Sequence, residues 1–166
     1  YQKEIPEDKY FYFRSCIRQN FFPASERAFL NILKKDLGID IYDDANLTSC
    51  TGIGYHGDVV PLETIMTVVA RAMSIMTEAG YENFVTSCIT TFGIFTEVME
   101  TWAEFPETEE RTREFLYKAT GREFKKPKCL AHASDIIFRH RDRIAEHAKY
   151  TLVNKYTGEM LKGVEH

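Results

Sequence analysis

The sequence predicts an α/β fold, a parallel sheet of about four strands covered by helices. Three observations carry this expectation. Short aromatic or alternating apolar runs follow one another along the chain, each succeeded by a longer stretch of helical periodicity. The 166 residues, 44% of them hydrophobic, suffice for one domain with its own core and are few for two. Right-handed strand–helix–strand units are the usual way to connect such an order of elements.

Residues 1–9 are polar and read as a flexible arm, 10–153 as the α/β domain, and 154–166 as a tail or the start of a linker to a further domain. Tyr10 to Ile17 is aromatic-rich and suits a buried strand. Ser25 stands where a cap opens a helix to about Leu37, with Phe29, Ile32, Leu33 and Leu37 on its apolar face. Gly38 supplies the stop. Ile39 to Tyr42 alternates like a second strand, and Gly52, Gly54 and Gly57 mark a turn-rich segment.

Pro61 to Ala79 carries the clearest helical pattern, with Ile65, Val69, Ala72 and Met76 on one stripe and Gly80 at its end. Tyr81 to Ser87 reads as the third strand, and a helix from Cys88 to Trp102 opens directly from it. Glu107 to Thr120 runs from acidic to basic and so complements its own dipole. A last helix is expected from Ala133 to Lys149, which leaves His140 and His147 on a charged, exposed face.

Composition narrows the function. There are 21 basic and 25 acidic residues, a formal net charge of −4, and no basic stripe to suit nucleic acid. No apolar stretch nears the roughly 18 residues of a membrane span. The chain opens on Tyr1 rather than Met and shows no signal-peptide pattern there, so the expected location is the cytoplasm. No GxGxxG, GxSxG, HExxH or CxxC motif occurs.

The informative residues are the cysteines. Cys16, Cys50 and Cys88 each fall where a short apolar segment ends in a turn, and ligand sites collect at strand ends on one edge of an open sheet. Three thiolates on one rim suit a soft metal, an iron–sulfur cluster or thiol–disulfide exchange. Buried cysteines acting as small hydrophobes fit the same pattern, and for Cys129 that packing role is the expectation. Cys88, at the amino end of a helix, is the thiol expected to be most reactive. His56, in the glycine-rich loop, is a candidate iron ligand or proton donor to a leaving thiolate, or simply an exposed loop residue.

These residues resemble the cysteine-rich CCG domain of the B-type heterodisulfide reductase subunits and their relatives, over roughly residues 10–147. That family carries a cysteine after the first strand, then a Cys-Cys pair, then a Cys-x-x-Cys followed by an aromatic residue and glycine. Cys16 matches the first, Cys50-Thr51 falls on the pair, and Cys88-Ile89-Thr90-Thr91-Phe92-Gly93 falls on the last. The resemblance implies a Rossmann-like three-layer domain, one half of a tandem architecture, serving a redox complex that moves electrons to or from a thiol or disulfide substrate. Implied partners are other subunits of such a complex, including a ferredoxin-like iron–sulfur protein. The implied cofactor is an iron–sulfur cluster, with Cys16, Cys50 and Cys88 as metal ligands and Cys88 and His56 as catalytic residues. Thr51 and Thr91 stand where two of five cluster cysteines belong, and a hydroxyl is a poor substitute for thiolate on iron. Three outcomes follow: a smaller cluster on the three thiols, a metal-free thiol centre, or a degenerate structural domain within the complex.

Overall fold

The computed structural model describes residues 5–6, 9–44, 50, 57, 59–147, 152–153, 157 and 160–161. Four parallel strands form its sheet: β1 (Lys9–Phe13), β2 (Asp40–Asp43), β3 (Asn83–Thr86) and β4 (Cys129–His132). They lie in the order β2-β1-β3-β4. The α/β class expected from the alternating pattern is the one observed.

β1 shows why the sheet is buried on both faces. Its side chains alternate, Phe11 and Phe13 into one core and Tyr10 and Tyr12 into another, and all four are at most 1% exposed. On the first face lie α3 (Leu62–Glu78), α4 (Ile89–Glu104) and α5 (Pro106–Thr120). They contribute Ile65, Val69, Met73, Ile94, Phe95, Trp102 and Leu116. On the second face lie α1 (Cys16–Phe21), α2 (Pro23–Asn31), α6 (Ala133–Arg139) and α7 (Arg141–His147). From them Phe29 and Ile136 are fully buried, with Ile144 packed at the margin. A separate antiparallel pair joins β5 (Leu152–Val153) to β6 (Met160–Leu161).

The α3 stripe follows from its sequence, since Ile65, Val69, Ala72 and Met76 are all buried. The helix stops at Gly80, whose φ of 75° is a conformation that favours glycine. Gly121, at φ 70°, ends α5 in the same way, and Gly38, at φ 68°, follows the π-helical turn that extends α2. Four expectations are revised. The first strand ends at Phe13 because the Ser15 hydroxyl accepts the Arg18 amide at 3.2 Å and starts α1, so Cys16 opens a helix rather than closing a strand. Ser25 caps nothing, since Pro23 already occupies the first turn of α2. That helix continues into a π-helical turn at Ile32–Asp36.

The expected last helix breaks at His140, which separates α6 from α7. The break swings α7 against the π-helical turn, where Arg143 donates to the Leu37 carbonyl at 3.3 Å. His140 is consequently 6% exposed and belongs to the interior, not to the charged surface its neighbours suggest. The His147 side chain lies outside the described residues.

Arg14 clamps the ends of β1 and β2 through a bidentate pair to Asp43, at 2.6 and 2.9 Å. Arg14→Ala is expected to lower unfolding stability by about 1–2 kcal/mol, read from a urea midpoint. Arg14→Lys restores only part of it, because an ammonium cannot grip both oxygens.

Candidate functional site

The chain order makes a switch point in the sheet. From β1 the first connection runs to β2 on one side, and the next crosses back to β3 on the other. Helices therefore leave β1 and β3 in opposite directions, which opens a crevice at their carboxyl ends. Cys16 stands three residues beyond β1, at the first position of α1, and Cys88 stands two residues beyond β3, as the residue that precedes α4.

The structure brings Cys16 near both Cys50 and Cys88. Cys16 is in hydrogen-bond contact with Cys50 and within electrostatic reach of Cys88. Burial first, then the neighbouring Cys50 and Cys88 sulfurs, push the Cys16 thiol above its usual value, because a second anion beside them is unfavourable. Cys50 is exposed, while Cys16 and Cys88 are partly buried. Cys129 is elsewhere in the second core, 2% exposed, and burial raises its thiol in the same way. Its packing role is the one observed. His56 and Thr51 lie outside the described residues.

Cys88 behaves oppositely. Burial alone raises its thiol, yet the net shift is downward. The Thr91 amide and hydroxyl, the Thr90 amide and the Ser15 hydroxyl all face its sulfur and favour the thiolate. Its backbone is pinned as well, the Cys88 amide donating to the Thr86 hydroxyl at 3.2 Å. Site-resolved alkylation at neutral pH should therefore modify Cys88 faster than Cys16, with Cys129 slowest, as peptide mass spectrometry can score.

Beneath the rim lies a polar network that the sequence did not announce. The buried Tyr12 hydroxyl donates to Ser87 Oγ at 2.8 Å, and Ser87 donates to Glu26 Oε2 at 3.2 Å. Burial drives the Tyr12 phenol upward, with Ser87 and Glu26 as secondary influences, so it stays protonated. Glu26 is 4% exposed, and its other oxygen has no hydrogen-bond partner among the described residues. The Arg14 and Arg18 guanidinium groups stand within electrostatic reach of this network. Ser-Cys pairs at 15–16 and 87–88 were the available signal, since each serine supports the thiol site from below or beside it.

His132 closes one side. It caps α6, its Nδ1 receiving the Ser134 amide at 3.3 Å while Asp135 accepts the His132 amide at 3.0 Å. Burial holds its imidazole below the ordinary value, against Asp135 and the nearby Ser87 carbonyl, which pull it up. The unfolded chain takes up this proton first as pH falls. The associated stability is complete above about pH 6.5 and is lost as pH drops below it. Urea midpoints should decline between pH 7 and 5, and His132→Asn, which keeps a cap, should flatten that decline. A groove of about 630 Å³ runs from Ile89, beside Cys88, past Phe92 and Met99 to His132.

Among the described residues no group of three or more His, Cys, Asp or Glu side chains closes into a metal-binding set. Three thiols, with a threonine hydroxyl at position 91, do not supply the five thiolates of the cluster that the resemblance implies.

The fold and rim define a class: a parallel α/β domain presenting grouped thiols at the switch point of its sheet. No family model matches the chain. A stretch of 98 residues, 59% of the chain, is 30% identical to the B-type subunit of the ferredoxin:CoB-CoM heterodisulfide reductase of Methanosarcina acetivorans. The match spans 31% of that relative's length. No described helix is long and apolar enough to cross a membrane.

Proposed function

We propose that this chain is a domain or subunit of a heterodisulfide-reductase-like redox complex, and that its thiols themselves perform the exchange with a disulfide substrate. The observation that carries this reading is the neighbourhood of Cys16 and Cys88 at the ends of β1 and β3, the Cys88 thiol shifted downward and the Cys16 thiol upward. The similarity to a heterodisulfide reductase component supports the setting.

In this reading the Cys88 thiolate attacks one sulfur of the substrate disulfide. The substrate S–S bond breaks, a Cys88 mixed disulfide forms, and the departing thiolate takes the proton that Cys16 gives up. Cys16 then attacks the Cys88 sulfur, releasing the second substrate thiolate and leaving a Cys16–Cys88 disulfide. Two electrons from an iron–sulfur partner protein, with one proton for Cys16, restore the starting thiol and thiolate. A second proton from solvent neutralises the released thiolate, so two electrons and two protons convert one disulfide to two thiols. The low affinity of Cys88 for a proton makes it the better leaving group in the reductive step. Cys50, in contact with Cys16, is a reserve thiol for the same rim.

Trapping tests the sequence of events. Cys16→Ser, incubated anaerobically with a small asymmetric disulfide, should accumulate a mixed disulfide on Cys88, seen as a mass adduct on that peptide. Iron and sulfide bound in stoichiometric amounts after reconstitution, and lost on Cys88→Ala, would replace this reading with a cluster.

A second reading has its own support, because hydroxyl residues hold two of the matched positions, Thr51 and Thr91. It makes the domain a non-catalytic module of the complex. Unchanged turnover in a complex assembled with Cys88→Ala would establish it.

A further inference from the structure

We propose that the groove beside β4 is a docking site for an amphipathic helix of a partner protein, its apolar stripe flanked by lysine or arginine. The inference goes beyond the thiol chemistry, since no thiol takes part in it. It begins with α4, which carries two apolar stripes where one serves a surface helix. Ile94, Phe95, Val98 and Trp102 form the first and are buried in the core. Ile89, Phe92, Thr96, Met99 and Ala103 form the second, and none of these five is buried. They recur at alternating spacings of three and four, the seam by which one helix receives another.

All five residues of the second stripe line the groove, and Leu130 and His132 of β4 form its other wall. β4 is last in the order of the sheet, so no described strand pairs with its outer side. From Ile89 to Ala103 the helix rises about 21 Å. The groove's volume of about 630 Å³ is drawn out along that length, a shallow trough about 30 Å² in section. A row of side chains from several turns of helix fits such a trough, and a compact cofactor does not. A strand added to β4 would meet only the four residues Cys129–His132, whereas a helix meets the whole seam.

Charge selects among helices. α4 bears Glu97, Glu100 and Glu104 and no basic residue. Glu100 and Asp135 line the groove, and no lysine or arginine does. Glu100 is exposed and has no ion-pair partner among the described residues. The other polar groups are already engaged. Thr96 donates to the Phe92 carbonyl at 3.0 Å, Ser134 shares a hydrogen bond with His132 Nδ1 at 2.8 Å, and Asp135 accepts the His132 amide. What remains is apolar surface beside a carboxylate without a counter-ion, the complement of a basic amphipathic helix.

Fluorescence anisotropy on the reduced full chain tests this with two labelled synthetic helices of about 21 residues. Both carry leucine at the seam spacing, one flanked by lysine and the other by glutamate. The lysine-flanked helix should bind at least about tenfold tighter, by a margin that shrinks as salt is added. Met99→Lys should weaken it about tenfold or more, because a charge then sits in the middle of the stripe. Ala103→Arg, at an exposed position, serves the same purpose if Met99→Lys does not fold. Phe115→Lys, on α5 and outside the groove, should leave binding within about twofold of the parent.

No binding of the lysine-flanked helix, equal binding of the two, or binding that Met99→Lys and Ala103→Arg leave unchanged overturns the proposal. So does a dimer in sedimentation that Ala103→Arg dissolves, which gives the groove to a second copy of this chain. The measurement needs no disulfide turnover. Loss of the proposed thiol function therefore leaves it standing, and its own failure leaves that function untouched.

Discussion

Cys88→Ser in the assembled complex is expected to reduce disulfide turnover by about a thousandfold or more. A serine hydroxyl at this position is protonated at neutral pH and is a poor nucleophile toward sulfur, so the first S–S cleavage has no attacker. The Ser15, Thr90 and Thr91 donors that favour a thiolate give a serine no comparable help, because they cannot lower an alcohol into the working range. Cys16→Ser should also stop turnover, though at a different stage. It leaves the first attack intact and blocks release of the mixed disulfide. Anaerobic assays with a soluble disulfide and a reduced iron–sulfur donor separate the two, since one variant shows no adduct and the other accumulates it. Equal loss with no adduct in either case would remove the assigned order of attack.

The second large effect is on stability. Phe84→Ala should cost about 3–5 kcal/mol in denaturant unfolding, because the side chain is wholly buried in the middle of the sheet. Its ring lies 4.6 Å from that of Phe95, 5.5 Å from Phe11 and 5.7 Å from Phe13. Removing it leaves a cavity bounded by β1, β3 and α4, where neighbouring aromatic rings are too constrained to collapse inward. Phe84 lies on β3, the strand that leads to Ser87 and Cys88. Phe84→Leu, which fills more of the space, should recover part of the loss. A cost below about 1 kcal/mol would show that the aromatic layer does not hold together the two strands that lead to Cys16 and Cys88.

The layer structure was legible because it depends on long, repeated patterns. The α3 stripe of Ile65, Val69, Ala72 and Met76 is unbroken, and the aromatic run of β1 has no polar interruption between Tyr10 and Phe13. The approach of Cys16 and Cys88 followed from the same order of elements, since a parallel sheet sends the ends of β1 and β3 to one edge. What the sequence concealed was set by single contacts. Glu26 stands between Ser25 and Arg27, with no pattern that marks it as interior, yet it is buried and accepts a hydrogen bond from Ser87, remote in sequence. His140 is flanked by Arg139 and Arg141, so the charged neighbours hide the break that turns it inward.

Mapping the cross-links formed by a mild, stoichiometric oxidant tests the gathering of thiols most directly. Oxidation of the reduced chain should yield a disulfide joining Cys16 to Cys88 or to Cys50, with Cys129 in no bridge. No bridge involving Cys16, or a bridge to Cys129 in its place, would contradict the shared rim and the chemistry built on it.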